Sequence, residues 1–229
     1  MNSRQEKLLQ LVIENHIETA QPVGSKFLVS EAGLDWSEAT VRNELRELEE
    51  MGYLTHPYTS AGRLPTELGY RTYLKMIDWN KIQPNKKDYS AFENVVNSDD
   101  QIRAKKNLAK TLASVSQEAV IIAFSPDSIY YTGLANLFSK PEFLQLGVVA
   151  DVSQVFDRCE DCLPSFFNLV SEDIRYFIGN EHPFGNLLSV SAFRFKGSML
   201  ILLGSMRMEY KRNYSLLQMV KELLNNQYE

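Results

Sequence analysis

Gln21-Pro22-Val23-Gly24, Gly33 and Gly52 cut the chain between Glu6 and Gly52 into three short helical stretches. Glycine and proline at that spacing leave room for three short helices and for no long one. The first stretch, Glu6 to about Thr19, carries Leu8, Leu11, Val12, Ile13 and Ile17 as an apolar stripe. In the second, Ser25 is read as the N-cap of a helix running through Ala32, with Gly33 as its stop. The third has the clearest start: Ser37 as N-cap, with Trp36 and Val41 at the hydrophobic-staple positions. Val41, Leu45 and Leu48 then fall on one face, and Ala39, Asn43, Arg46 and Glu50 on the opposite one, with Arg42 at its edge.

Three short helices, the last presenting Arg and Asn outward, form the pattern of a helix-turn-helix. Its final helix can enter the major groove, where Arg reads guanine and Asn reads adenine. After Gly52, Tyr53-Leu54-Thr55 reads as a strand. The polar turn Pro57 to Arg63 then reads as a wing with a basic tip that reaches phosphate or the minor groove. Thr66 is placed to cap a further helix containing Leu68, Tyr70, Tyr73, Leu74 and Ile77. The candidate DNA-contacting set is Lys26, Ser37, Ala39, Thr40, Arg42, Asn43, Arg46, Thr59 and Arg63. Total charge argues the other way. The chain carries a net charge of -5, and residues 1–80 hold 8 Lys and Arg against 12 Asp and Glu. Contact with DNA therefore depends on where the charges lie: Glu44, Glu47, Glu49 and Glu50 occupy the C-terminal half of the third helix, away from Arg42 and Asn43.

Several segments resemble, in order, the heat-inducible transcription repressor family HrcA. They are Arg4-Gln5-Glu6-Lys7-Leu8-Leu9, Pro22-Val23-Gly24-Ser25-Lys26, Ala39-Thr40-Val41-Arg42-Asn43-Glu44-Leu45 and Leu48-Glu49-Glu50-Met51-Gly52-Tyr53-Leu54. Thr59-Ser60-Ala61-Gly62-Arg63-Leu64-Pro65-Thr66-Glu67-Leu68-Gly69-Tyr70-Arg71 is the most family-specific. Pro141-Glu142-Phe143, Ile178-Gly179-Asn180-Glu181 and Gly204-Ser205-Met206-Arg207-Met208-Glu209-Tyr210 extend the resemblance. It implies a repressor of chaperone operons that binds an inverted-repeat operator in double-stranded DNA as a homodimer and is kept active by the GroEL chaperonin. Family members carry a dimerising domain inserted into a GAF-like domain. Here Glu118–Phe124 passes almost directly into Ser125–Tyr131, so this is a short member without that insert.

The expected fold is α+β: a winged helix-turn-helix over 1–80, a linker over 81–101, and a reduced GAF-like domain with an antiparallel sheet over 102–229. Strands are expected at Ala119–Phe124, Ile129–Thr132, Ile174–Ile178, Leu187–Phe195 and Ser198–Leu203, with a hairpin at Gly197. Helices are expected over Val152–Val170 and Tyr214–Leu224, and over a basic stretch with Arg103, Lys105, Lys106 and Lys110 whose charges read as a solvated face.

No constellation suggests catalysis, and no cofactor or metal is expected. The only cysteines, Cys159 and Cys162, cannot complete a four-ligand zinc site, and His16, His56 and His182 are scattered. Arg207 is expected to anchor the turn after the last strand to the C-terminal helix. The longest apolar runs are too short to span a bilayer, and the N-terminus lacks a signal-peptide pattern, so a cytoplasmic location is expected. Two rival readings remain: a ligand- or protein-sensing module with weak or no DNA binding, and a thiol redox enzyme using Cys159 and Cys162.

Overall fold

The computed structural model describes residues 1–229 apart from 31–32, 59–60, 93–94, 96–99, 126–127, 145 and 227–229. The chain divides into two compact units, Met1–Ile77 and Asp78–Glu229.

The first unit opens with α1 (Ser3–Thr19), three residues ahead of the expected start. The reason is a reciprocal cap: the Asn2 side chain accepts from the Gln5 amide while the Gln5 side chain accepts from the Asn2 amide, both at 2.9 Å. Leu8, Leu9, Val12 and Ile13 are buried. In α2 (Ser25–Ser30) the Gly24 carbonyl accepts the Leu28 amide at 3.2 Å. Gly24 thus stands at the cap and Ser25, expected there, is the first helical residue. The expected end of α2 at Ala32 lies outside the described residues. Gly33 sits at φ +62°, the left-handed region that glycine enters without strain.

α3 (Glu38–Glu50) begins as the sequence indicates, with the Ser37 side chain accepting from the Thr40 amide at 3.1 Å. Its Val41, Leu45 and Leu48 are buried. A two-stranded antiparallel ribbon follows, β1 (Leu54–Thr55) with β2 (Leu64–Pro65). α4 (Glu67–Met76) is capped by Thr66, which accepts from the Gly69 amide at 3.1 Å and donates to the Gly52 carbonyl at 2.6 Å. One threonine therefore joins the start of α4 to the end of α3. Leu68, expected in the helix body, is 45% exposed, whereas Tyr70, Tyr73 and Leu74 are buried. Tyr70 and Tyr73 reach α1 through His16 and Glu14 at 2.9 and 3.3 Å.

The second unit starts at Asp78 and takes in the stretch 81–101 read as a linker. α5 (Lys86–Phe92) forms there and buries Phe92 in the same core as Leu108 and Leu112 of α6 (Gln101–Ser116). Then come β3 (Ala119–Ser125), β4 (Ser128–Thr132), α7 (Leu134–Phe138), α8 (Leu146–Asp157), α9 (Cys159–Leu169), β5 (Arg175–Ile178), β6 (Leu188–Phe195), β7 (Ser198–Ser205) and α10 (Tyr210–Asn226). The five strands make an antiparallel sheet in the order β4-β3-β7-β6-β5. Along β3 and β7 the side chains alternate between two cores. Ile121, Ala123, Ile201 and Leu203 pack in the core that holds Phe156, Leu163 and Phe166 of α8 and α9. Val120, Ile122, Leu200 and Leu202 pack with Leu112 of α6 and Leu216 and Val220 of α10. A strand covered on both faces needs an unbroken apolar run, which explains Met199-Leu200-Ile201-Leu202-Leu203.

Lys196 and Gly197 join β6 to β7 with φ of +44° and +78°, positive at both turn residues as a two-residue hairpin of this hand requires. The single helix expected over Val152–Val170 is instead two, α8 and α9, meeting at Arg158. Pro164 lies inside α9, where it has no amide to donate to the Glu160 carbonyl and its ring crowds that carbonyl. The break itself, at Arg158, lies six residues before Pro164. Ser125 of β3 pairs with Ser128 of β4, so the two strands are joined almost directly.

Candidate nucleic-acid interface

Burying Val41, Leu45 and Leu48 against the rest of the first unit turns the other side of α3 to solvent. Ser37, Ala39, Arg42, Asn43 and Arg46 are all exposed there, and Thr40 is half-buried. Lys26, the second residue of α2, is also exposed. Most of the expected contact set is therefore exposed to solvent. Thr59 lies outside the described residues.

Arg63 departs from expectation. Instead of extending from the tip of a wing, its side chain is folded back to 19% exposure, with its guanidinium 2.9 Å from Glu49 on α3. A backbone bridge enforces this: the Arg63 and Val23 amides and carbonyls exchange two hydrogen bonds at 2.8 and 2.9 Å. Gly62 makes the bridge possible, because a Cβ there would sit 2.6 Å from the Val23 backbone. Among the described residues of this loop Tyr58 is 66% exposed, and it is absent from the expected set. Its position just beyond the strand is the signal that sequence reading passed over in favour of charge.

Several acids of α3 have partners within the unit. Glu49 pairs with both Arg63 and His56, Glu47 accepts from the Gln5 side chain at 2.8 Å, and Glu50 lies 3.6 Å from Arg46. Glu47 and Glu49 are thus engaged with the frame, whereas Glu50 stays exposed beside Arg46 and one Glu44 oxygen is buried without a hydrogen-bond partner among the described residues. Glu38, in the first turn, was missed as a site residue. It accepts from Arg42 at 2.6 Å and from the Ser25 hydroxyl at 3.2 Å. A cleft of about 340 Å³ opens between α2, α3 and the ribbon, lined among others by Gly24, Ser25, Arg42, Gly62 and Arg63.

The second unit offers different chemistry. Cys159 is buried in the core, and burial pushes its thiol up to about 12, the wrong direction for a nucleophile or a metal ligand. Among the described residues no group of three His, Cys, Asp or Glu is placed to hold a metal ion. Arg207 is expected to tie the last strand's turn to the C-terminal helix, and its side chain also makes a longer-range contact. Its guanidinium meets Glu142, so it joins two of the family-like motifs to each other. Burial raises the Glu142 carboxyl, but hydrogen bonds from Arg207, from backbone and from Ser205, together with the Arg207 charge, outweigh it and bring its pKa below the usual range. Lys105 of α6 lies over the rings of Phe124 and Phe195, and Lys106 over that of Tyr130, at 5.3 to 6.0 Å. These lysines cover aromatic surface rather than standing free in solvent.

A family model described as the HrcA protein C terminal domain matches residues 83–213, more than half of the chain. The chain belongs to the HrcA family. The heat-inducible transcription repressor HrcA of Thermoanaerobacter sp. (strain X514) is 38% identical over 133 residues, 56% of this chain and 38% of that protein. The HrcA of Alkaliphilus metalliredigens (strain QYMF) is 53% identical over 74 residues, 32% of this chain and 22% of that protein. The chain thus matches well under half the length of these curated HrcA relatives. A solved protein described as a hypothetical protein at 2.2 Å resolution shares the fold, with a TM-score of 0.82, 21% identity, and coverage of 100% of this chain and 98% of that one. No helix among the described residues is long and apolar enough to cross a membrane.

Proposed function

We propose that this protein is a heat-inducible transcription repressor whose first unit is a winged helix-turn-helix that binds double-stranded DNA, and whose second unit is a reduced GAF-like domain. The observation that carries the reading is the exposed row Ser37, Ala39, Arg42, Asn43 and Arg46 on a helix whose opposite face is locked into the core. An α-helix of this kind fits the major groove, where Arg and Asn donate to base edges. The family relatives, named as heat-inducible transcription repressors, supply the regulatory setting.

On this reading two copies bind an inverted repeat in the cytoplasm, their α3 helices about 34–36 Å apart or a multiple of it. Lys26 and the turn holding Thr59 touch the flanking backbone. Arg63 acts by holding the ribbon against α3 rather than by reaching the groove. The GroEL-type chaperonin contact implied by the family belongs to the same proposal. Gel-shift titration of an inverted-repeat duplex at several salt concentrations tests it. Phosphate contacts impose a steep loss of affinity with salt, and a duplex of scrambled sequence binds more weakly. Repeating the titration with purified chaperonin tests that contact.

One observation favours the rival reading of a sensing module with weak or no DNA binding. Arg42 and Arg46, the two cations of the α3 face, each pair with a glutamate of their own helix. Equal binding to inverted-repeat and scrambled duplexes at every salt concentration would decide for the rival.

A further inference from the structure

Glu38 occupies the position on α3 that a DNA-binding surface can least ignore. It is the first residue of the helix, directly after the Ser37 cap, at the end that would enter the groove first. A carboxylate there repels phosphate, yet it does not point away. Its Oε1 accepts from the Arg42 guanidinium at 2.6 Å and from the Ser25 hydroxyl of α2 at 3.2 Å. Two donors from two different helices fix the direction of the group. The side chain is 45% exposed, and Oε2 makes no hydrogen bond among the described residues. The result is an oriented acceptor with one oxygen open to solvent.

We infer that Glu38 is a specificity-determining residue, whose free oxygen accepts from the amino group of a cytosine while its other oxygen holds Arg42 and Ser25 back from the DNA backbone. This rests on the DNA-binding reading above. An ionised carboxylate can only accept, and in the major groove the amino donors are cytosine N4 and adenine N6. Asn43, five residues on and about 140° round α3 from Glu38, suits adenine with its paired donor and acceptor, which leaves cytosine as the natural partner of Glu38 on the flank facing α2. Neutralising Arg42 has a second consequence. An arginine free to meet any phosphate adds affinity for every sequence, whereas one held by Glu38 does not. Glu38 therefore lowers binding to random DNA as well as favouring one base. A first-turn acid also stabilises its helix through the unpaired amides there, but that contribution affects all sequences alike.

The test uses the full chain, a randomised duplex library and a fixed random-sequence duplex, with wild type, Glu38→Gln and Ser25→Ala. Wild type should enrich cytosine at one position in each half-site. Glu38→Gln should lose that enrichment, and its preference for the selected duplex over the random one should fall roughly tenfold, the scale of one base contact. Its binding to the random duplex should strengthen and become more salt-dependent as Arg42 is released. Ser25→Ala removes one tether and should weaken the enrichment without abolishing it. If wild type shows sequence preference and both variants keep the same base profile and the same ratio, the inference is overturned while the DNA-binding reading stands. If wild type enriches no sequence at all, the reading beneath it has failed and this inference with it.

Discussion

The guanidinium of Arg63 lies 2.9 Å from the Glu49 carboxylate, with the two side chains only 19% and 22% exposed. That pair joins the ribbon to α3, because Arg63 precedes β2 and Glu49 is in the last turn of the helix. Arg63 also carries a buried Nε with no hydrogen-bond partner. Its charge is therefore spent on the frame. Arg63→Ala should destabilise the protein by about 1–3 kcal/mol in urea unfolding, since it leaves Glu49 half-buried with only His56 beside it. Any loss of DNA affinity should follow from that and should shrink at low temperature. A variant of wild-type stability with strongly weakened phosphate contact would show that Arg63 reaches the DNA after all.

Gly62 and Gly24 provide a matched pair on opposite sides of the same bridge. A Cβ at Gly62 would fall 2.6–2.8 Å from the backbone of Val23 and Pro22, atoms that cannot swing aside, whereas one at Gly24 meets nothing within 4 Å. Gly62→Ala should cost about 1–3 kcal/mol as an overpacked site and lower the melting temperature accordingly. Gly24→Ala should be close to neutral. Equal melting temperatures for the two variants would mean that the Val23–Arg63 bridge is not maintained in solution.

The start of α3 depends on one hydroxyl. Ser37→Ala removes the acceptor for the Thr40 amide and should cost about 1 kcal/mol, while Ser37→Asn or Ser37→Asp should retain most of the stability. Because the cap also fixes the end of the helix that carries Glu38, Ser37→Ala should reduce sequence preference more than it reduces binding to random duplex. Amide hydrogen exchange over residues 38–42 reports the fraying directly.

The limits of sequence reading follow from these same residues. Ser37, Thr66, Gly33 and Gly52 were legible because caps and left-handed turns depend on the residue itself and its immediate neighbours. The Asn2–Gln5 box has an equally local signature, but it precedes the first apolar residue, where periodicity gives no prompt. β3 and β7 were legible as strands from their apolar runs, but their packing between two cores was not, because the covering helices come from distant parts of the chain. Arg63 was not: its basic character in a polar turn suggests phosphate, and only the bridge to Val23, forty residues away, turns it inward. The break between α8 and α9 was missed because the apolar spacing continues through Pro164. Glu38 entered only as one of 12 acids, because a sum of charges carries no direction.

Glu118 is nearly fully buried beside Lys140, and desolvation pushes its carboxyl up to about 7 despite that lysine, with Glu142 and Glu209 adding to the rise. A folded-state pKa above the unfolded value means that the native state binds the proton more tightly. The resulting stability is fully present below about pH 4.5 and is lost as pH rises through about 7. Urea unfolding of wild type should therefore show a decline in stability across that window that Glu118→Gln lacks. The comparison is one of slopes, since the variant also deprives Lys140 of its partner. Parallel pH profiles would place Glu118 in a far better solvated site than the structure gives it.

Cys159 and Cys162 lie one turn apart in α9, a spacing that suits redox chemistry only if one thiol ionises readily. Cys159 instead faces the core with Leu163 and Phe166, with a thiol pushed up to about 12 by burial, next by Cys162 and Glu160. Cys162 is half-buried. Alkylation of the native protein followed by mass spectrometry should therefore label Cys162 well before Cys159, and labelling of Cys159 should keep pace with unfolding. Mild oxidant should leave DNA binding unchanged in both wild type and Cys162→Ser. Rapid modification of Cys159 in the folded protein, or an oxidant effect that Cys162→Ser abolishes, would instead make the pair a working dithiol and restore the redox reading.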